Sequence, residues 1–569
     1  MLNDARNLLA GTVLEADVCI VGSGPAGLTI ARELLGSGLT TIIVESGSLE
    51  PDDATQALAA GETTGDPFKA LVETRARQFG GTANLWNTRW DPELIGFRGA
   101  PLDPLDFAAR DWVPDSGWPF DREHLEPYYV RAHAAAEMGP YAYDAARWAR
   151  ADAAPLTLGG DSFETSVWLF GAQRTFVAHR RAELAAAPDT TILLNANVVE
   201  LETTDDANRV TAAKIVCLPD KALSVRARTF VVATGGIENA RLLLLSRRVN
   251  PAGLGNEHDV VGRYFMEHQQ VRAGHLLPSN PSLFDRMALY DERHVDGAPV
   301  MGQLHLTDTA MRRERLLNTV AAFLPLHARF RRFRWDSANA LSELASSLKR
   351  GRLPERPLAT LVEIARGGDF IAARLARRLS DGRLFRYWGE DAPTFCSGFG
   401  WTSLPDKAAR FGILDVIMHA EQAPHRDNRV TLSAARDALG LPLPRLHWQW
   451  RPLDVESANR TRRLLATELA RAHIGRLDMG DHPVEPELIS EGLHHHMGTT
   501  RMHRDPRHGV VDEQCSVHGV GNLFMAGCSV FPTGGYINPT LTIMALATRL
   551  ADRLRQRSAA AAPAIATPS

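Results

Sequence analysis

The sequence predicts an α/β fold in two parts: a discontinuous, Rossmann-like dinucleotide-binding domain and an α+β second domain. Three observations predict it. Residues 16–47, ADVCIVGSGPAGLTIARELLGSGLTTIIVESG, run through strand, glycine turn, helix and strand. Residues 522–555 repeat the theme, with an apolar strand, a glycine and a long apolar helix. Between them, residues 395–405, 411–422 and 443–452 show the apolar alternation of strands.

Asp17 to Val21 is short, apolar and β-branched, the pattern of a buried strand. Gly22, Gly24 and Gly27 follow as G-x-G-x-x-G. The first allows a tight turn, the second lets backbone approach a pyrophosphate, and the third lets the next helix pack on the strand. That helix, about Pro25 to Gly36, offers its first N–H groups to phosphate, with Ser23 and Ala26 in the same turn. A second apolar strand, Thr40 to Val44, ends in Glu45, where a carboxylate accepts hydrogen bonds from ribose hydroxyls and repels a 2′-phosphate.

At the other end, Asn522 to Ala526 reads as a buried strand, and Gly527 and Cys528 follow where backbone can approach a cofactor. Asn538, Pro539 and Thr540 then open a helix to about Leu554, with Asn as N-cap and Pro in the first turn. The positive end of that helix suits the negative charge of a reduced flavin. His496 stands in HMGTT, where Gly498 permits close approach to a ring system. A histidine is a natural acceptor for the proton an alcohol loses on oxidation, and Asn538 would hold the substrate oxygen. Two blander readings stand beside this one: Asn538 as a helix cap only, and the three consecutive histidines as packing or surface residues. His494, His495, His496, His503, His508 and His518 are close in sequence, but no H-E-x-x-H or C-x-x-C accompanies them, and no metal is expected.

Composition sets the bounds. The chain has 569 residues, 44% hydrophobic, with a net charge of −4, which suits a two-domain globular enzyme and gives no reason to expect nucleic acid. Its five cysteines are scattered and form no disulfide, iron–sulfur or haem pattern. No secretory signal and no run of about 20 apolar residues is visible, so the expected location is cytoplasmic. The expected division is 12–100, 189–270 and 494–556 for the dinucleotide domain and 101–188 for connecting or cap segments. Residues 271–493 form the substrate domain, and 557–569 a disordered tail. An insertion at 329–386 carries fourteen Arg or Lys against six Asp or Glu and is expected to form two helices. It reads as a solvated insertion or an oligomer contact before a lid or a membrane face.

Several stretches together resemble the glucose–methanol–choline (GMC) family of FAD oxidoreductases, over nearly the whole chain. FGGTANLWNTRW (79–90) looks like the family's loop beside the isoalloxazine. The resemblance there implies cofactor contacts by Gly80, Gly81, Thr82 and Asn84, with Asn87 near N5 and C4=O. DWVPDSGWPFDREHLEPYYVRAH (111–133) resembles a segment of bacterial members. NANVVEL (195–201) is similar to the strand at the adenine, with Val198 at the contact. TFVVATGGIENARLLLLS (229–246) resembles the second FAD strand and turn, with Ala233, Thr234 and Gly235. VVGRYFMEH (260–268) resembles another family stretch, and SVFPTGGYINPTLTIMAL (529–546) resembles the signature of the sugar-oxidising branch, which includes pyranose oxidases, C-glycoside oxidases and gluconate dehydrogenase flavin subunits.

The resemblance implies an FAD-binding domain under an antiparallel roof. It makes His496 and Asn538 the catalytic pair that oxidises a sugar, glycoside or aminosugar CH–OH. The hydride goes to flavin N5, and oxygen or a quinone is the final acceptor. Leu85 stands where some pyranose oxidases carry a histidine bonded to FAD, so FAD is expected to be held non-covalently. A homo-oligomer is compatible with this reading, and membrane contact is not expected. The rival readings are oxidation of a sterol, aryl or aliphatic alcohol, a redox-neutral lyase of the same family, and a flavin-binding scaffold.

Overall fold

In a computed structural model, the described residues are 1–90, 94–327, 400–480, 483–484 and 494–561. Within the segment between 327 and 400, residues 337, 340–341, 343–345, 347–348, 351–354 and 356–368 are also described.

The first sheet has a parallel core. Its order is Leu2–Asp4, Thr190–Leu194, Thr41–Val44, Val13–Val21 and Lys221–Val232, with Leu523–Met525 also pairing parallel to Lys221–Val232. Val210–Cys217 and Asn197–Thr203 extend it as an antiparallel edge. Val18 to Val21 and all of Thr41–Val44 are buried, as expected of parallel strands covered on both faces. Helix Pro25–Glu33 crosses closely over the first strand. A Cβ on Gly27 would stand 2.1 Å from the Gly22 carbonyl oxygen, and Gly22 itself has φ +103°.

The second sheet is antiparallel throughout. Its order is Gly475–Asp478, Gln269–Pro278, Phe411–Ala420, Thr319–His327, Ala298–Leu306, Phe163–Ala172, Ile95–Gly99 and Thr88–Arg89. It therefore draws in Thr88–Arg89, Ile95–Gly99 and Phe163–Ala172, which the sequence had placed in the dinucleotide domain and the connecting segment. Residues 443–452 do give a strand, Pro442–Trp448, but it joins Arg429–Arg436 and Glu62–Gly65 in a separate three-stranded sheet. Of the expected strand at 395–405, residues 400–405 hold a 3₁₀ turn, Trp401–Ser403, after a left-handed Gly400 with φ +84°; the rest lies outside the described residues. Much of the expected two-helix insertion also lies outside them, but helix Pro357–Arg366 is described.

The C-terminal helix runs Thr540–Ala561. It begins one turn position later than expected, since the Pro539 carbonyl accepts its first bond from Ile543 N–H. It also takes in 557–561 of the expected tail, while 562–569 lie outside the described residues.

The loop before helix Arg122–Ala135 is locked to the antiparallel sheet by a buried ion pair. Arg110 Nη1 and Nη2 donate to Glu421 at 2.8 and 2.5 Å, and both side chains are fully buried. Glu421 also accepts from the Asn318 N–H at 3.1 Å. Arg110→Met should therefore strand a buried carboxylate and cost roughly 3–5 kcal/mol of stability in urea unfolding. An unchanged midpoint would show that the pair contributes nothing.

Candidate active site

A cleft of about 1300 Å³, counting its open mouth, lies at the carboxyl ends of the parallel strands. It lies where doubly wound sheets bind ligands. Gly22, Ser23, Gly24, Pro25, Ala26 and Glu45 form one wall. Gly81 and Thr82 cross it, and Val198, Ala233, Thr234 and Gly235 form the second wall. Gly527, Cys528, Pro539, Thr540 and His496 close it.

Five nominated residues do not line the cleft. Gly27 serves helix packing. Gly80 lies in the left-handed region at φ +93° and donates its N–H to the Ser23 carbonyl. Asn84 braces the loop, its Nδ2 donating to the carbonyls of Phe79 and Gly81, each at 2.9 Å. Asn87 is exposed, and Asn538 is half-buried.

The cleft suits a dinucleotide. A Cβ added at Gly24, Gly235 or Gly527 would meet nothing within 4 Å, so these backbones border open space. The first turn of helix Pro25–Glu33 has no side-chain cap at Gly24, leaving its N–H groups to an anion. Glu45 is held by the Ser23 N–H at 2.9 Å, the Ser23 hydroxyl at 2.6 Å and the Gly47 N–H at 2.8 Å. Arg75, Arg77 and Glu238 also line the cleft, a feature the sequence did not reveal. Burial opposes the Glu238 charge, but Arg77, Arg241 and Arg75 outweigh it and bring the carboxyl to about 2.

His496 is held from three sides. The N–H of Met497 donates to the Met266 carbonyl at 3.0 Å, and the N–H of Met266 donates back at 3.1 Å. Gly498 N–H donates to the Cys528 carbonyl, and Cys528 Sγ donates to the His496 carbonyl at 3.2 Å. Gly236 abuts the same carbonyl so tightly that a Cβ there would stand 2.0 Å from it. The imidazole packs against the Phe265 ring at 5.7 Å and the Phe68 ring at 6.2 Å between centroids.

Glu267 is the main site residue that sequence reasoning missed. Its carboxyl is fully buried, with Oε2 3.9 Å from His496 Nε2. It accepts the N–H groups of His495, at 3.0 and 2.9 Å, and of His268, at 3.0 Å. Burial pushes it up to about 8, against the pull of those two N–H groups. The only early signal was its place in VVGRYFMEH. Beside it, His268 Nδ1 lies 2.9 Å from His495 Nδ1, while His268 Nε2 faces the Gly535 carbonyl at 2.8 Å. His419 completes a group whose ligand atoms all lie within 4.8 Å of one another. Of the six histidines clustered in sequence, only His495 belongs to it.

Residues 424–547 match the GMC oxidoreductase family, and residues 15–68 match an FAD binding domain. The fructose dehydrogenase large subunit of Gluconobacter japonicus is 24% identical over 96% of this chain and 99% of its own length. The 6'''-hydroxyparomomycin C oxidase of Streptomyces lividus is 25% identical over 96% and 92%. A formate oxidase structure from Aspergillus oryzae covers 97% of this chain and 100% of its own, at 17% identity and a TM-score of 0.50, a likeness of fold.

The chain carries a GMC oxidoreductase C-terminal domain and an FAD binding domain. Its cofactor is FAD, and it is an oxidoreductase acting on CH–OH donors.

Two outcomes follow for this enzyme. Gly24→Val should leave the apoprotein folded but weaken FAD binding by at least about tenfold in a fluorescence titration, because the new methyls enter the cleft. Unaltered affinity would place the cofactor elsewhere. A Glu267 carboxyl titrating near 8 when folded, but near the ordinary glutamate value when unfolded, binds its proton only in the folded state between those values. Stability therefore falls as pH rises through that window, and Glu267→Gln should make the decline shallower in unfolding measured from pH 5 to 8.

Proposed function

We propose that this enzyme oxidises a secondary or primary CH–OH of a sugar, glycoside or aminosugar to the carbonyl, with His496 as base and Asn538 orienting the substrate oxygen. The observation that carries the reading is the placement of His496. It lines the cleft, clasped by the ladder to Met266 and backed by Phe68, Phe265 and Glu267. FAD, when bound, supplies the hydride acceptor. The His496 imidazole takes the hydroxyl proton. Glu267, kept uncharged by burial at neutral pH, leaves that imidazole without an anionic neighbour that would fix a proton on it beforehand. Asn538, half-buried two residues before helix Thr540–Ala561 and outside the cleft lining, takes the role of donor to the substrate oxygen from the family resemblance.

The substrate class draws support from the relatives, whose names describe dehydrogenation of fructose and oxidation of a hydroxyparomomycin. Oxygen or a quinone is the terminal acceptor. Leu85 ends the turn Gly81–Leu85 and has no nucleophilic atom, which supports non-covalent FAD.

His496→Ala should retain FAD and lose roughly 10²–10⁴-fold in sugar-dependent dye reduction. Wild-type turnover in that variant overturns the assignment of the base. Acid precipitation of the wild type should leave the yellow flavin in the supernatant; colour retained in the pellet would mean a covalent bond.

A further inference from the structure

Helix Pro357–Arg366 is built inside out. Its one fully buried residue is Thr360, whose hydroxyl donates to the Arg356 carbonyl at 3.0 Å. Three of its four large apolar residues face water: Leu358 is 81% exposed, Leu361 52% and Val362 50%, while Ile364 is half-buried. With Ala365 they occupy i, i+3, i+4 and i+7, a single stripe of the helix. A helix that packs against its own protein turns this stripe inward.

The stripe has neighbours in sequence. Leu341, Leu348 and Leu353 are 38%, 57% and 67% exposed. Among the described residues, six of the twelve exposed large hydrophobics fall between 341 and 362. Single exposed leucines are ordinary, but a concentration of this kind marks an interaction surface. Its charge selects the partner. Arg352, Arg356 and Arg366 are exposed beside the leucines, and Glu363 is paired with Arg366 at 2.8 Å. The surrounding stretch, 329–386, carries fourteen basic against six acidic residues. Leucines flanked by arginines match the acyl boundary and the phosphates of an anionic leaflet, with the arginine stems lying along the apolar surface and their heads at the phosphates. No helix among the described residues is long and apolar enough to cross a membrane, so the contact is with the surface of a bilayer.

We propose that the exposed leucine and arginine face around helix Pro357–Arg366 docks this enzyme on anionic lipid bilayers. The inference is independent of which alcohol is oxidised.

The test is co-sedimentation of the full-length, FAD-loaded protein with vesicles of phosphatidylcholine alone and of phosphatidylcholine mixed with phosphatidylglycerol. The protein should pellet with the anionic vesicles, less so at high salt, and stay in solution with the neutral ones. The triple variant Leu358→Ser, Leu361→Ser, Val362→Ser should bind about tenfold more weakly or worse, with FAD content and thermal midpoint unchanged because the three side chains are exposed. If that variant does not fold, Arg352→Glu with Arg356→Glu takes its place and should lose the anionic preference. Wild-type protein remaining in the supernatant, or variants that pellet like it, would overturn the proposal. So would a wild-type dimer in light scattering that the triple variant abolishes, since a second copy would then cover the face.

Discussion

The site depends on the antiparallel bridge between Met266 and Met497. Two short segments from distant parts of the chain meet there, each donating one N–H to the other. Glu267 reinforces the bridge by accepting the N–H groups of His268 and His495 on either side. His496 is consequently fixed between two backbone ladders, one to residues 262–266 and one to 528–530. A base that must meet a hydroxyl proton within hydrogen-bond reach gains from such bracing, because a small displacement is expensive in rate. The same bridge joins the segment ahead of the antiparallel roof to the segment that closes the dinucleotide cleft.

Charge around His496 is managed by burial. Glu267 is pushed up, while burial lowers His268 to about 4 and carries His419 and His495 well below the ordinary imidazole range. The groups beside the base are therefore uncharged near neutrality. At Glu238, also in the cleft lining, the balance is reversed: three arginines hold the carboxylate ionised despite its burial.

What was legible in the sequence was local. Gly22, Gly24, Gly27 and Glu45 announce themselves because one strand, one turn and one helix fix their roles within thirty residues. Gly235 and Gly527 each lie just after a parallel strand, whereas Val198, within the antiparallel edge strand Asn197–Thr203, was legible through resemblance. Glu267 and the cluster of His268, His419 and His495 were not, because they meet only through contacts between segments distant in sequence. The pairing of Gly96–Gly99 with Leu169–Ala172 escaped notice for the same reason. The basic insertion was legible only in part: its charge was countable, but the exposure of Leu358 appears only once the helix has a face turned to the fold.

The most direct measurement is anaerobic mixing of the purified holoenzyme with monosaccharides, glycosides and aminosugars while the oxidised-flavin absorbance is followed. The account predicts that at least one of them bleaches the band, and that the carbonyl compound appears in equal amount. No bleaching by any sugar would contradict the proposed substrate class, and none by any alcohol would contradict the oxidation chemistry assigned to His496.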